Sequence, residues 1–175
     1  MKVTMATSDL KTVFDACRNF VSKSDLRPAF RRIQLNFTKK QCTACALDGI
    51  KMMMLTVPYM DGDDGAMLVP IIKLPKDPFV TLSDEGSDIT FDFSGNKQVM
   101  KKYAGEFMKD PESLFPTAAP DLTIYFDPKS LRDTLDSFKA CTVIELQFHG
   151  QTGGLTILGK DCKALILPVK PPKNK

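Results

Sequence analysis

Displaced by 121 residues, the first helical stretch of this chain falls on its last: Leu10, Val13, Phe14 and Cys17 meet Leu131, Thr134, Leu135 and Phe138, while Lys11, Asp15 and Arg18 meet Arg132, Asp136 and Lys139. Spacing of i, i+3, i+4 and i+7 is that of a helix with one apolar stripe on a core, and the opposite side repeats the order basic, acidic, basic. The approach to each helix repeats as well. Val3 and Met5 correspond to Ile124 and Phe126, which predicts a short alternating strand before each helix, opened by Thr7 or Ser8 in one copy and by Asp127 before Pro128 in the other. A duplicated strand-helix unit restricts the architectures open to the chain, so the stretch between is read for further copies.

After the first helix, expected to reach residue 22, a charged loop over 23–32 leads to alternating strands at 33–37, 41–47 and 51–57, with Asp48-Gly49 as a tight turn. The acidic run 61–65 reads as a solvated turn; a calcium loop would end in a glutamate that 67–72 does not supply. A second unit follows, with strands at 66–70, 79–83, 88–93 and 98–104, and Pro75 and Pro78 leave room for barely one helical turn between the first two. The third unit runs from residue 122 through the helix 128–139 to strands at 143–148, 154–158 and 164–169. These patterns predict an α+β fold of repeated strand-helix-three-strand units, each burying one helix stripe against one face of its antiparallel sheet. The expected organisation is 1–117 as a domain of two units, 118–170 as a third unit and 171–175 as a basic tail.

The 175 residues carry a net charge of +3, too little to name a partner without asking where the cations sit. No apolar run approaches the length of a membrane span and the first ten residues lack a secretory core, so a soluble cytoplasmic protein is expected. Five cysteines, an odd number, point to free thiols, and Cys42 and Cys45 read as strand packing because zinc would require a second ligand pair. The chain has one histidine, His149, beside a glycine-rich hairpin over 150–154 that lacks the lysine of a phosphate loop. No catalytic constellation emerges, and neither a metal nor a cofactor is expected.

What remains is a set of cations: Lys11 and Arg18 on the first helix, Lys23, Arg27, Arg31 and Arg32 in the loop after it, and Lys129, Arg132 and Lys139 around the last. One reading is a solvated helix face in which Lys11 with Asp15 and Arg132 with Asp136 form i, i+4 pairs. The other is a face that a partner reads, favoured because solvated positions drift while the same polar order recurs on two otherwise diverged helices.

With these units, the stretch Leu26-Arg27-Pro28-Ala-Phe-Arg-Arg-Ile-Gln-Leu-Asn-Phe37 and the close Leu165-Ile-Leu-Pro-Val-Lys170, the chain resembles the bacterial DNA polymerase III beta subunit, the sliding clamp, in a shortened form. The segment 87–116, with its glycine hairpin and closing Leu-Phe-Pro, is similar to the end of one clamp domain. The resemblance implies a ring whose helices touch duplex phosphates without reading bases, and it makes Arg27 a DNA-facing residue. It also implies that Leu167, Pro168 and Val169 belong to an apolar pocket for short linear motifs of a polymerase or clamp loader; the alternative is a buried final strand. The implied function is a non-enzymatic processivity factor that acts as a homo-oligomer, since three units per chain need four copies to make twelve. A second reading keeps the fold as an adaptor that binds replication-protein peptides without encircling DNA.

Overall fold

A computed structural model describes residues 1–24, 26–103, 105 and 107–171. The chain divides into two compact units, Met1–Leu114 and Phe115–Lys175. Of the expected basic tail, 172–175 lie outside the described residues, as does residue 104 at the end of the strand expected over 98–104.

The first unit contains β1 (Lys2–Ala6), α1 (Thr7–Cys17), β2 (Ile33–Thr38), β3 (Gln41–Leu47), β4 (Met52–Pro58), β5 (Asp61–Gly62), β6 (Gly65–Val69), β7 (Phe79–Glu85), β8 (Asp88–Phe93) and β9 (Asn96–Lys101). Its strands form two antiparallel sheets, ordered β5-β1-β7-β8-β9 and β4-β3-β2-β6. The opening strands are exchanged between the repeats. β1 joins the sheet built by the second repeat, with Val3 opposite Leu82 and Met5 opposite Val80, and β6 joins the first, with Ile33 opposite Val69 and Leu35 opposite Met67. Alternation then sends Val3 and Met5, Ile33, Leu35 and Phe37, Val80 and Leu82, and Ile89, Phe91 and Phe93 into one core. The stripe of α1 closes that core, and the helix packs against β3 and β4 of one sheet and β1 and β7 of the other.

Two-residue turns set the hairpin registers. Lys39 and Lys40 both take positive φ (51° and 63°) between Thr38 and Gln41, as do Ser94 and Gly95 (52° and 98°) between Phe93 and Asn96, the twist that suits adjacent antiparallel strands. At Gly62 the requirement is spatial as well as torsional: φ is +128° and a Cβ would lie 2.2 Å from the Lys2 carbonyl oxygen.

The second unit contains α2 (Pro128–Asp136), β10 (Glu145–Phe148), α3 (Gly150–Gly153), β11 (Leu155–Leu158) and β12 (Lys163–Ile166), with one antiparallel sheet ordered β10-β11-β12. Its core is Phe138, Leu155, Ile157 and Ile166, flanked by half-buried Phe126, Leu131, Cys141, Ile144 and Ala164.

Several sequence expectations are corrected here. The first helix stops at Cys17 rather than residue 22, because the chain turns away and the Ser22 amide donates to the Phe30 carbonyl at 2.7 Å. Its N-cap is Ala6, without a side-chain bond; Thr7 is buried and its amide donates to the Pro78 carbonyl. At α2 the expected cap forms, with Asp127 accepting the Ser130 amide at 2.7 Å and the Ser130 hydroxyl at 2.8 Å. The acidic stretch 61–65 is more than a solvated turn. Its first two residues form β5 against β1, Asp63 accepts the Lys2 amide and Asp64 accepts the Tyr59 hydroxyl, so these carboxylates serve chain contacts. Residues 71–77 form no helix, 122–126 form no strand, and the expected hairpin turn at 150–154 begins with the single helical turn α3. The strand expected over 164–169 ends at Ile166. Cys42 and Cys45 lie three residues apart in β3, so the pleat sends them to opposite faces, both buried. Among the described residues, no helix is long and apolar enough to cross a membrane.

Candidate nucleic-acid and peptide interfaces

Because α1 spends its apolar stripe on the core, its polar side faces solvent. There Asp15 holds two cations: its Oδ2 accepts from Lys11 Nζ, and its Oδ1 lies 3.2 Å from Arg18 Nη2. The hydrogen bond from Lys11, reinforced by the charges of Lys11 and Arg18, keeps the Asp15 carboxyl below the ordinary carboxylate range. The net charge of this trio is therefore one positive, although two cations are displayed.

The loop that follows is ordered by aromatic contacts. Arg27 lies over the Phe30 ring (5.5 Å to the centroid), Phe30 meets Phe107 edge to face at 5.5 Å, and Arg32 lies over Tyr103 at 5.6 Å. Arg27 and Arg31 are exposed around the short 3-10 turn Pro28–Arg31, and Lys23 is exposed as well. Arg32 differs from its neighbours. It is half-buried, and its Nε is shut off from solvent without a hydrogen-bond partner, so it anchors the loop more than it displays charge. No local pattern points to Tyr103 and Phe107, since their partners lie some seventy residues away.

Lys129, Arg132 and Lys139 are exposed around α2. Arg132 Nε faces Asp133 Oδ1 at 3.8 Å, in place of the expected pairing with Asp136. The Ser130 amide and hydroxyl bonds lower the affinity of Asp127 for a proton and secure the start of this helix.

At the other end of the second unit, the chain beyond β12 borders a cleft of about 670 Å³. Leu167 (67% exposed), half-buried Pro168 and Val169 (45% exposed) form one side, and the Val169 amide donates to the Tyr125 carbonyl at 2.8 Å. Thr123, Ile124, Tyr125, Gln151, Thr152, Lys170 and Pro171 complete the lining. Leu167 and Val169 are thus not the buried strand of the alternative reading. The opposite wall is contributed by residues no local pattern singles out. His149, exposed, pairs through Nε2 with the Thr156 hydroxyl at 3.0 Å. Among the described residues no group of three or more histidine, cysteine or acidic side chains is gathered to hold a metal ion.

Antiparallel sheets with a helix packed against them, and the exchange of opening strands between repeats, define a clamp-like α+β fold. That fold is that of DNA polymerase III beta subunits. The chain superposes on the beta chain from Streptococcus pneumoniae with a TM-score of 0.82 at 15% identity, covering 97% of this chain and 50% of that one. A DNA polymerase III subunit beta from Pseudomonas aeruginosa gives 0.81 at 17% identity, covering 96% and 51%. A sliding clamp from the same organism, bound to griselimycin, gives 0.80 at 17%, covering 96% and 50%. The chain therefore spans about half the length of these clamps. No protein-family model and no curated protein matches it.

Proposed function

We propose that this chain serves as a sliding-clamp-like processivity factor, a non-enzymatic tether holding a polymerase or related replication enzyme on duplex DNA. The observation that carries this reading is the placement of Lys11, Arg18, Lys23, Arg27 and Arg31 on the solvent side of a clamp-like unit, with Lys129, Arg132 and Lys139 around the helix of the second. Cations on flexible stems across a hydrated gap bind phosphates by counterion release and read no bases, so they hold the duplex without fixing a register. Leu167, Pro168 and Val169, in a cleft open to solvent, suit a short apolar motif of a client polymerase or clamp loader. A homo-oligomer is the working form in this reading. It is supported by the edge of β10, which among the described residues pairs with β11 alone and carries exposed Leu146 and Phe148.

The test is retention on duplex DNA as a function of salt. Charge reversal of Arg18 and Lys139 to Glu should weaken association and flatten the logarithmic salt dependence by about 0.9 for each phosphate no longer neutralised. Retention unaffected by both reversals overturns the DNA reading.

A second reading, an adaptor that engages replication-protein peptides through the same cleft without encircling DNA, is favoured by one observation: Asp15 ion-pairs with both Lys11 and Arg18, which reduces the charge α1 presents. In that case Leu167→Asp abolishes peptide capture, and reversal of Arg18 leaves it intact.

A further inference from the structure

Of the five cysteines, three are sealed inside the first unit. Burial pushes the Cys17 and Cys42 thiols up to about 12 and Cys45 to about 11, so they are inert in the folded chain. Cys141 and Cys162 are placed otherwise. Cys141 follows α2 in a turn closed by its own amide on the Phe138 carbonyl at 2.8 Å. Cys162 ends the β11–β12 turn, closed by the Gly159 amide on the Cys162 carbonyl at 2.8 Å. Between them stands Gly159. A Cβ on that residue would lie 2.8 Å from Cys141 Sγ, 2.9 Å from Cys162 Sγ and 3.0 Å from the Phe138 ring. The missing side chain at Gly159 is what lets the two sulfurs border one small space, each within 3 Å of the position a Cβ would take. The site opens to solvent through a cleft of about 440 Å³ beside Lys160 and Asp161, and Cys162 itself is exposed.

We infer that Cys141 and Cys162 form an accessible dithiol that closes to an intramolecular disulfide by exchange with a low-molecular-weight disulfide such as oxidised glutathione. The exposed Cys162 thiolate attacks one sulfur of the reagent, forming a mixed disulfide and expelling one glutathione thiolate. Cys141 then loses its proton and attacks Cys162 Sγ, forming the protein disulfide and expelling the second thiolate. The two protons given up by the cysteines end on two molecules of reduced glutathione, and the protein is oxidised by two electrons. Partial desolvation and the neighbouring Cys141 raise the Cys162 thiol above its ordinary range, so closure accelerates as pH rises. The product ties the chain just after Lys139 to the β11–β12 turn, fastening α2 to its sheet.

The folded full chain is treated with oxidised glutathione, alkylated, denatured, alkylated again with an isotopically distinct reagent, and mapped by mass spectrometry. The expected result is a 141–162 cross-link within one chain, two hydrogens lighter than the dithiol, with Cys17, Cys42 and Cys45 labelled only after denaturation. Hydrogen exchange in β10–β12 should slow by about 10-fold or more in the oxidised form. Cys141→Ser should instead accumulate glutathione on Cys162, and Gly159→Ala should slow closure by at least ~10-fold by wedging a methyl between the sulfurs. A wild-type chain that stops at the Cys162 mixed disulfide, or that links Cys162 to a second chain, overturns the inference.

Discussion

The two helices that match in sequence are not equally covered. Leu10, Val13, Phe14 and Cys17 of α1 are all buried, Phe14 to 2% exposure, whereas of their counterparts around α2 only Phe138 is buried and Leu135 stays 37% exposed. The stripes are alike; the surroundings differ. α1 packs against strands of two sheets, while α2 packs chiefly against β12. The opening strands diverge for the same reason. β1 is held between β5 and β7, but residues 122–126, with the same alternation, join no sheet and meet the chain beyond β12 at the bond from the Val169 amide to the Tyr125 carbonyl. One repeat's strand is completed by the sheet of another, so a repeat standing alone leaves part of its apolar surface and its edges unsatisfied.

The sharpest test of this contrast is truncation at equivalent stripe positions. Phe14→Ala should destabilise the first unit by about 3–5 kcal/mol, through reduced burial and the cavity left behind, whereas Leu135→Ala should cost less than about 1 kcal/mol. Denaturant unfolding followed by hydrogen exchange in each unit checks both, and equal costs would break the comparison. Gly62→Ala comes next, because it combines a left-handed φ with a backbone clash at Lys2; a loss of about 1–3 kcal/mol is expected, with exchange protection disappearing first in β1.

A smaller effect is expected at the second unit's cap. Asp127→Ala should lower the melting temperature by roughly a few degrees and fray α2, seen in helical circular dichroism. The carboxyl of Asp127 is held below its ordinary value by the Ser130 bonds, so its contribution is complete above the unfolded-state value and vanishes as pH falls through the lower folded one. The wild-type signal should therefore drop toward that of Asp127→Ala in acid, and the mutant should lack this part of the transition. Smallest are the surface carboxylates. Asp15→Asn, which releases both Lys11 and Arg18, should steepen the salt dependence of DNA retention by about 0.9, and Asp133→Asn, facing Arg132 at 3.8 Å, should change it less.

Much of the candidate surface was legible. Lys11, Asp15 and Arg18 recur in the second copy at helical spacing, and i, i+4 geometry places Lys11 against Asp15 without further information. Arg32 was not legible as an anchor, because its environment depends on Tyr103, far along the chain. Leu167 and Val169 stood between two readings, since an apolar run next to a proline is compatible with a buried strand or an exposed lip. Their exposure depends on where the β11–β12 ladder ends and on the Tyr125 carbonyl that takes the Val169 amide.

Local periodicity was sufficient to place the helices α1 and α2, the Asp127 cap and the inward faces of most strands, because these follow from pleat, helical pitch and turn chemistry within a few residues. Tertiary structure decided which repeat each opening strand joins, how deeply each helix stripe is buried, and that Cys141 and Cys162 meet over Gly159. Those outcomes rest on pairing and close packing between segments distant along the chain, and a one-dimensional pattern names the surface to be buried without naming what will cover it.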